Sequence, residues 1–188
     1  MKTNSTFFKL KKNLLGVLFF MLATFLVMPV YSQTTVTIGT GTGNTNWVPV
    51  YTGTTSTYAY SYSQQIYTAA EITAGGGTSG QSITQIAFYV ASGATISGNK
   101  TWVIYLGNTS TSTFSGTSAW ITTANLTQVF TGTFNSGSST GWVTVTLGTP
   151  FTWTGSNLVV AVDENSSTYG NTYYNYTSMG LNNYYVLR

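Results

Sequence analysis

The 188-residue chain has no cysteine and no histidine. Without cysteine there is no disulfide framework, no thiol nucleophile and no lipidated cysteine behind a leader. Without histidine there is no Ser-His-Asp triad and no imidazole proton shuttle. Charge is almost as scarce, with three acidic and six basic residues making up 5% of the chain. Long apolar runs are missing too, apart from one, Leu14–Val30.

That one run is informative because of what precedes it. Four of the six basic residues, Lys2, Lys9, Lys11 and Lys12, lie in the first twelve positions. A basic start, an apolar core and a small-residue exit have the form of a secretory signal peptide. We expect it to span residues 1–32, with cleavage after Ser32 leaving Gln33 first. A transmembrane anchor is the rival reading. The run of 17 residues sits at the lower limit for crossing a bilayer, and Thr24 and Pro29 interrupt it. The expected location is therefore the extracellular space or the outer cell surface.

Removing the leader changes the charge. The whole chain carries +3, but residues 33–188 hold only Lys100 and Arg188 against Glu71, Asp163 and Glu164, a net −1. Nucleic-acid binding needs clustered cations on phosphates, and two distant basic residues do not supply them. Attraction of a polybasic segment to anionic lipid is excluded on the same ground. No nucleic acid and no membrane insertion after leader cleavage are expected.

What the chain does have is Thr, Gly, Ser, Asn and Tyr, interleaved with short apolar blocks. Ile86, Phe88 and Val90 alternate with Ala87 and Tyr89. Trp102, Ile104 and Leu106 alternate with Val103 and Tyr105. Val143, Val145 and Leu147 alternate with Thr144 and Thr146. A period of two marks half-buried strands. Leu158–Val162 is apolar throughout, as in a strand covered on both faces. Leu126–Phe134 and Gln64–Ile72 are weaker strand candidates. Turn-forming residues separate the blocks at Gly75–Gly77, Ser92-Gly93, Ser97–Asn99, Asn135–Gly141 and Thr154–Asn157. Pro49 and Pro150 are expected at block edges. No helix of useful length is expected, beyond one turn within Ser118–Asn125. The pattern predicts an all-β fold, an antiparallel β-sandwich built from one domain over residues 33–188.

Several blocks carry a resemblance. Ser61–Ile72 (SYSQQIYTAAEI), Ile83–Val90 (ITQIAFYV), Trp102–Gly107 (WVIYLG), Asn125–Phe134 (NLTQVFTGTF) and Asn157–Asn165 (NLVVAVDEN) follow in an order that resembles modules of secreted Bacteroidota surface proteins. Those modules are similar to the jelly-roll "cleaved adhesin" domains of proteins exported by the type IX secretion route. The resemblance implies a jelly-roll-like sandwich, a role in adhesion or binding, and a structural Ca²⁺. Cargo of that route normally carries a C-terminal sorting domain, which this sequence does not display. The chain is therefore expected to be a fragment of a longer precursor.

The candidate binding residues are aromatic. Tyr58, Tyr60 and Tyr62 recur every second residue, which puts them on one face of a strand. Such a row can stack on sugar rings. Ile66 shares their parity, so the same row can equally continue a core face. Trp120 and Trp153 near loops are further candidates for exposed rings. The tyrosines Tyr169, Tyr173, Tyr174, Tyr176, Tyr184 and Tyr185 have the composition of an adaptable contact surface. The polar cluster Asp163, Glu164 and Asn165 follows an apolar strand, and its oxygens could serve a Ca²⁺ that takes six to eight ligands. A solvated strand-end turn is the alternative. The same carboxylates do not make a glycosidase pair, because neighbours in an extended chain point to opposite faces. We expect no enzyme, but a binding or adhesion module for polysaccharide or a cell-surface ligand, or else a structural spacer of a large assembly.

Overall fold

A computed structural model describes residues 33–41, 43–51, 60–92, 100–134, 140–167, 173–176 and 183–187; for Ser92 and beyond residue 167 it describes the backbone alone. The expected leader, residues 1–32, therefore lies outside the described residues. So do Tyr58 and the side chains of the C-terminal tyrosines. Among the described residues no helix is long and apolar enough to cross a membrane.

The alternating blocks form strands where the period of two placed them. In chain order the strands are β1 (Gly43–Thr45), β2 (Ser61–Tyr67), β3 (Ser82–Ser92), β4 (Lys100–Thr109), β5 (Thr127–Phe134), β6 (Gly141–Thr152), β7 (Asn157–Glu164), β8 (Tyr173–Tyr176) and β9 (Asn183–Leu187). They pair in two sheets of order β1-β8-β3-β6 and β5-β4-β7-β2-β9. Every pairing is antiparallel. The fold is an all-β sandwich of two antiparallel sheets.

The core between the sheets takes one parity from each strand. Phe88 and Val90 of β3, with Val145 and Leu147 of β6, meet Trp102, Ile104 and Leu106 of β4 and Leu158, Val160 and Val162 of β7. Phe88 stands edge-on to Trp102 at 5.9 Å, a contact between the two sheets. Trp102 also stacks on Phe134 at 3.8 Å and 10°. Val159 and Ala161 on the opposite face of β7 are buried as well. The uniformly apolar sequence of Leu158–Val162 is thus explained by two covered faces.

That second cover is the connection between β4 and β5, residues 110–126. It crosses the outer face of the five-stranded sheet and packs Phe114, Trp120, Ile121 and Leu126 around Ile66 and Val159. Gly107 lets it approach. A Cβ at that position would lie 2.5 Å from Leu126 Cδ2, 3.1 Å from Val159 Cγ1 and 3.2 Å from the Asn125 carbonyl oxygen.

Three details depart from the sequence expectations. The block Gln64–Ile72 is not one strand: β2 stops at Tyr67 and a helix, α1 (Ala69–Ala74), follows. Thr68 caps it, its hydroxyl accepting from Glu71 N while Glu71 Oε2 accepts from Thr68 N at 2.8 Å. This reciprocal box satisfies two otherwise orphaned donors. The turn expected around Trp120 falls just after it, as a 3-10 turn at Thr123–Asn125. Pro150 lies within β6 rather than at a block edge, but where the ladder to β3 jumps from Thr146 to Phe151. Its missing N–H therefore interrupts no ladder bond.

Candidate functional site

The outer face of the five-stranded sheet gathers several of the candidate residues. Parity along β2 sends Tyr62, Gln64 and Ile66 to this face, and Ser61, Ser63 and Gln65 inward. The inward serines meet the 47–51 segment, where Tyr51 N donates to Ser61 Oγ at 3.0 Å and Ser63 Oγ donates to the Pro49 carbonyl. On the outer side, Gln64 is fully buried and clamps the crossing segment by its backbone. Its Oε1 accepts from Ile121 N at 2.9 Å, and its Nε2 donates to Ile121 O at 2.6 Å and to Tyr62 Oη at 2.8 Å. One amide thereby fixes both the phenol of Tyr62 and the backbone next to Trp120. The two rings meet at 5.5 Å with a 53° tilt. Both are half-buried.

Asp163 joins them from β7. It is the direct cross-strand partner of Tyr62 on one side and of Val103 on the other. Residues opposite one another share a face, so its half-buried carboxylate belongs to the same surface as the ring pair. The result is a surface with two fixed rings and one carboxylate, under which the buried Gln64 amide is fully engaged. Such a surface can stack on an apolar ring face and accept hydrogen bonds from hydroxyls.

Glu164 points the other way. It is opposite Trp102 and Ser61, on the core face. Its Oε2 lies 3.6 Å from Lys100 Nζ, with the two side chains 0% and 1% exposed. Oε1 accepts from Ser166 N at 2.7 Å, whereas Oε2 has no hydrogen-bond partner. Burial pushes the Glu164 carboxyl up; the Ser166 hydrogen bond and the Lys100 charge oppose this. Burial likewise holds the Lys100 ammonium below its usual range, against the pull of Glu164.

The remaining candidates separate. Tyr60 is exposed, at 39%, and lies just before β2. Trp153 does not present its ring as expected: it is 3% exposed in the core, and its Nε1 donates to the Ser156 carbonyl at 2.6 Å. A buried indole needs that acceptor, and a tight turn after β6 supplies it. The cluster Asp163–Asn165 is also divided. Asp163 and Glu164 occupy opposite sheet faces, and Asn165, exposed, donates its backbone N–H to Thr101 O at 2.9 Å. The three side chains therefore do not converge on one ion. No group of three or more acidic residues placed to hold a metal occurs among the described residues.

Sequence reasoning passed over two features. Gln64 carries no motif, and only the folded connection reveals its clamp. Trp142 and Tyr89 are opposite one another on the exposed face of β6 and β3, edge to face at 5.4 Å. Their parity was readable from the alternation, but their pairing was not. No protein family, curated protein or solved structure matches the chain.

Proposed function

We propose that the chain is an extracellular, non-enzymatic binding or adhesion module of jelly-roll type that recognises carbohydrate. The observation that carries this reading is the Tyr62–Trp120 pair, held half-open on a sheet face by Gln64 with Asp163 alongside. Sugar rings offer apolar C–H faces to aromatic rings and hydroxyls to a carboxylate. Fixed rings lose little conformational freedom on binding, which favours affinity. The basic, apolar leader supports export. The resemblance to type IX-secreted, cleaved-adhesin modules rests on the sequence blocks quoted above. The lack of histidine and cysteine, and the commitment of Glu164 to an internal ion pair, leave few groups for acid–base or nucleophilic chemistry. Calcium enters only through Asp163 and Asn165, since Glu164 is turned inward. A Ca²⁺-dependent rise in melting temperature that Asp163→Asn abolishes supports such a site, and indifference to EDTA removes it.

The test is retention of the purified protein on a panel of immobilised polysaccharides. Binding that is lost in Tyr62→Ala and Trp120→Ala supports the reading. A second reading, a structural spacer in a large assembly, draws on the surface charge. With Lys100 and Glu164 paired inside, Glu71, Asp163 and Arg188 are the formal charges left in residues 33–188. So little net charge does not oppose self-association. Oligomers that grow with concentration, together with no retention on any polysaccharide, would establish that reading instead.

A further inference from the structure

Trp142 is the most exposed large hydrophobic side chain among the described residues, at 55%. A lone exposed ring is ordinary; this one is not alone. Tyr89, its cross-strand partner, stands at 88° to the indole with ring centroids 5.4 Å apart. That contact favours one orientation of the indole. Along the same face come the pairs Ala87–Thr144 and Gln85–Thr146, all four exposed. Gln85 Nε2 donates to Thr146 Oγ1 at 3.3 Å. The opposite parity, Phe88, Val90 and Val145, is committed to the core, so the strip is fixed in its outward aspect by the pleat. It extends about 14 Å along the strands and about 10 Å across two of them. It contains an aromatic pair at one end, hydroxyls and an amide along its length, and no charged residue.

We infer that this strip is a stacking platform for a neutral polysaccharide chain, with one pyranose ring on the Trp142 indole and the following hydroxyls on Thr144, Thr146 and Gln85. It rests on the carbohydrate reading above and adds a second face to it, on the other sheet. The occupant follows from charge and size. A strip without cations attracts neither phosphate backbones nor anionic lipid headgroups. Its area is far below the roughly 800 Å² per partner of a stable protein interface, so a second copy of the chain is not held by it. A linear polymer is narrow enough to lie along one pair of strands and gains affinity from a few fixed contacts. Hydroxyls and an amide match the donors and acceptors of uncharged sugars.

Affinity electrophoresis of the full chain in gels containing hydroxyethyl cellulose, xylan or glucomannan tests the platform, with Trp142→Ala, Tyr62→Ala and the parent run side by side. Trp142 is outside the core, so its replacement lowers the melting temperature only slightly, by the lost cross-strand pair with Tyr89, and leaves the fold intact; that control is measured first. We expect Trp142→Ala to weaken retention on at least one of these polymers by about ten-fold or more, the scale of an aromatic anchor. Thr144→Val should weaken it less. If the parent is retained and Trp142→Ala matches it while Tyr62→Ala is lost, the platform is wrong and the carbohydrate reading stands. If the parent is retained on none of the polymers, the platform is wrong and so is the reading beneath it as far as neutral polysaccharides go. A parent that dimerises through Trp142, with the dimer lost in Trp142→Ala, also overturns it.

Discussion

Lys100 and Glu164 are two of the five formally charged residues in residues 33–188, and they face each other inside the sandwich. At 3.6 Å, with one carboxylate oxygen lacking a hydrogen bond, their attraction does not offset desolvation; both pKa shifts run in the direction burial dictates. Removing one partner is the costly change, because it strands the other charge. We expect Lys100→Met or Glu164→Gln alone to destabilise by about 3 kcal/mol in urea unfolding. The double replacement Lys100→Met with Glu164→Leu should be close to neutral or more stable, giving a large coupling energy in the cycle. The pH dependence follows from the directions. The raised Glu164 carboxyl makes its contribution fully below the ordinary carboxyl range, and that contribution falls as pH rises through the raised value. The lowered Lys100 ammonium makes its contribution above the ordinary 10.5 and loses it as pH falls through the lowered value. Glu164→Gln should therefore lose the acid-side slope and recover stability steeply on alkaline titration, as Lys100 sheds its proton. A flat profile for that variant between neutral and alkaline pH would contradict the pair's account. On β2, the Tyr67 phenol, which donates to Gln65 Oε1 at 2.9 Å, is pushed up to about 12, by burial first and the Glu71 carboxylate second. It should not titrate in absorbance below the unfolding transition.

At the scale of elements, the connection over residues 110–126 decides what the outer face becomes. It rests on three supports: the Gln64 clamp, the Ile66–Phe114–Val159 cluster, and the close approach that Gly107 permits. Gly107→Ala would drive a methyl into Leu126 and a backbone carbonyl, and we expect a loss of about 1–3 kcal/mol. Limited proteolysis should then cut within residues 110–126 before any sheet strand. Gln64→Leu keeps the volume but strands the Ile121 N–H and C=O, and should cost about 1–3 kcal/mol. It should also release Trp120, visible as a change in tryptophan fluorescence. Helix α1 depends on a smaller device. Thr68→Ala removes the cap and should cost about 1 kcal/mol in the same unfolding assay. The pattern Thr68-x-x-Glu71 was readable as a capping box. The good strand formers before it drew the boundary too far, because β2 and α1 adjoin with only Thr68 between them.

At the scale of the whole molecule, the surface of the described residues is nearly uncharged while its two faces carry aromatic rings among hydroxyls and amides. Ligand binding by such a surface should be insensitive to salt, since few counterions are released. Retention on a neutral polysaccharide that falls steeply between low and molar salt would contradict this. The strands, the sandwich and the parity that sets Tyr89 apart from Phe88 and Trp142 apart from Val143 were legible in the sequence, because a pleated strand alternates faces whatever its partners. Two covered faces for β7 were legible for the same reason, since five consecutive apolar residues leave no polar side. The identity of each cover was not. Tyr62 and Ile66 share a parity that fits either the inter-sheet core or an outer patch. Only the path of residues 110–126 assigns them to the outer face. The period of two likewise separated Asp163 from Glu164, but their fates depended on neighbours from β2 and β4. Sequence alone thus determined which residues lie on the same side of each strand, a local consequence of backbone geometry. Tertiary structure decided which side is core, which ring is open and which charge is paired. Those depend on contacts between segments far apart in the chain, and local geometry does not encode them.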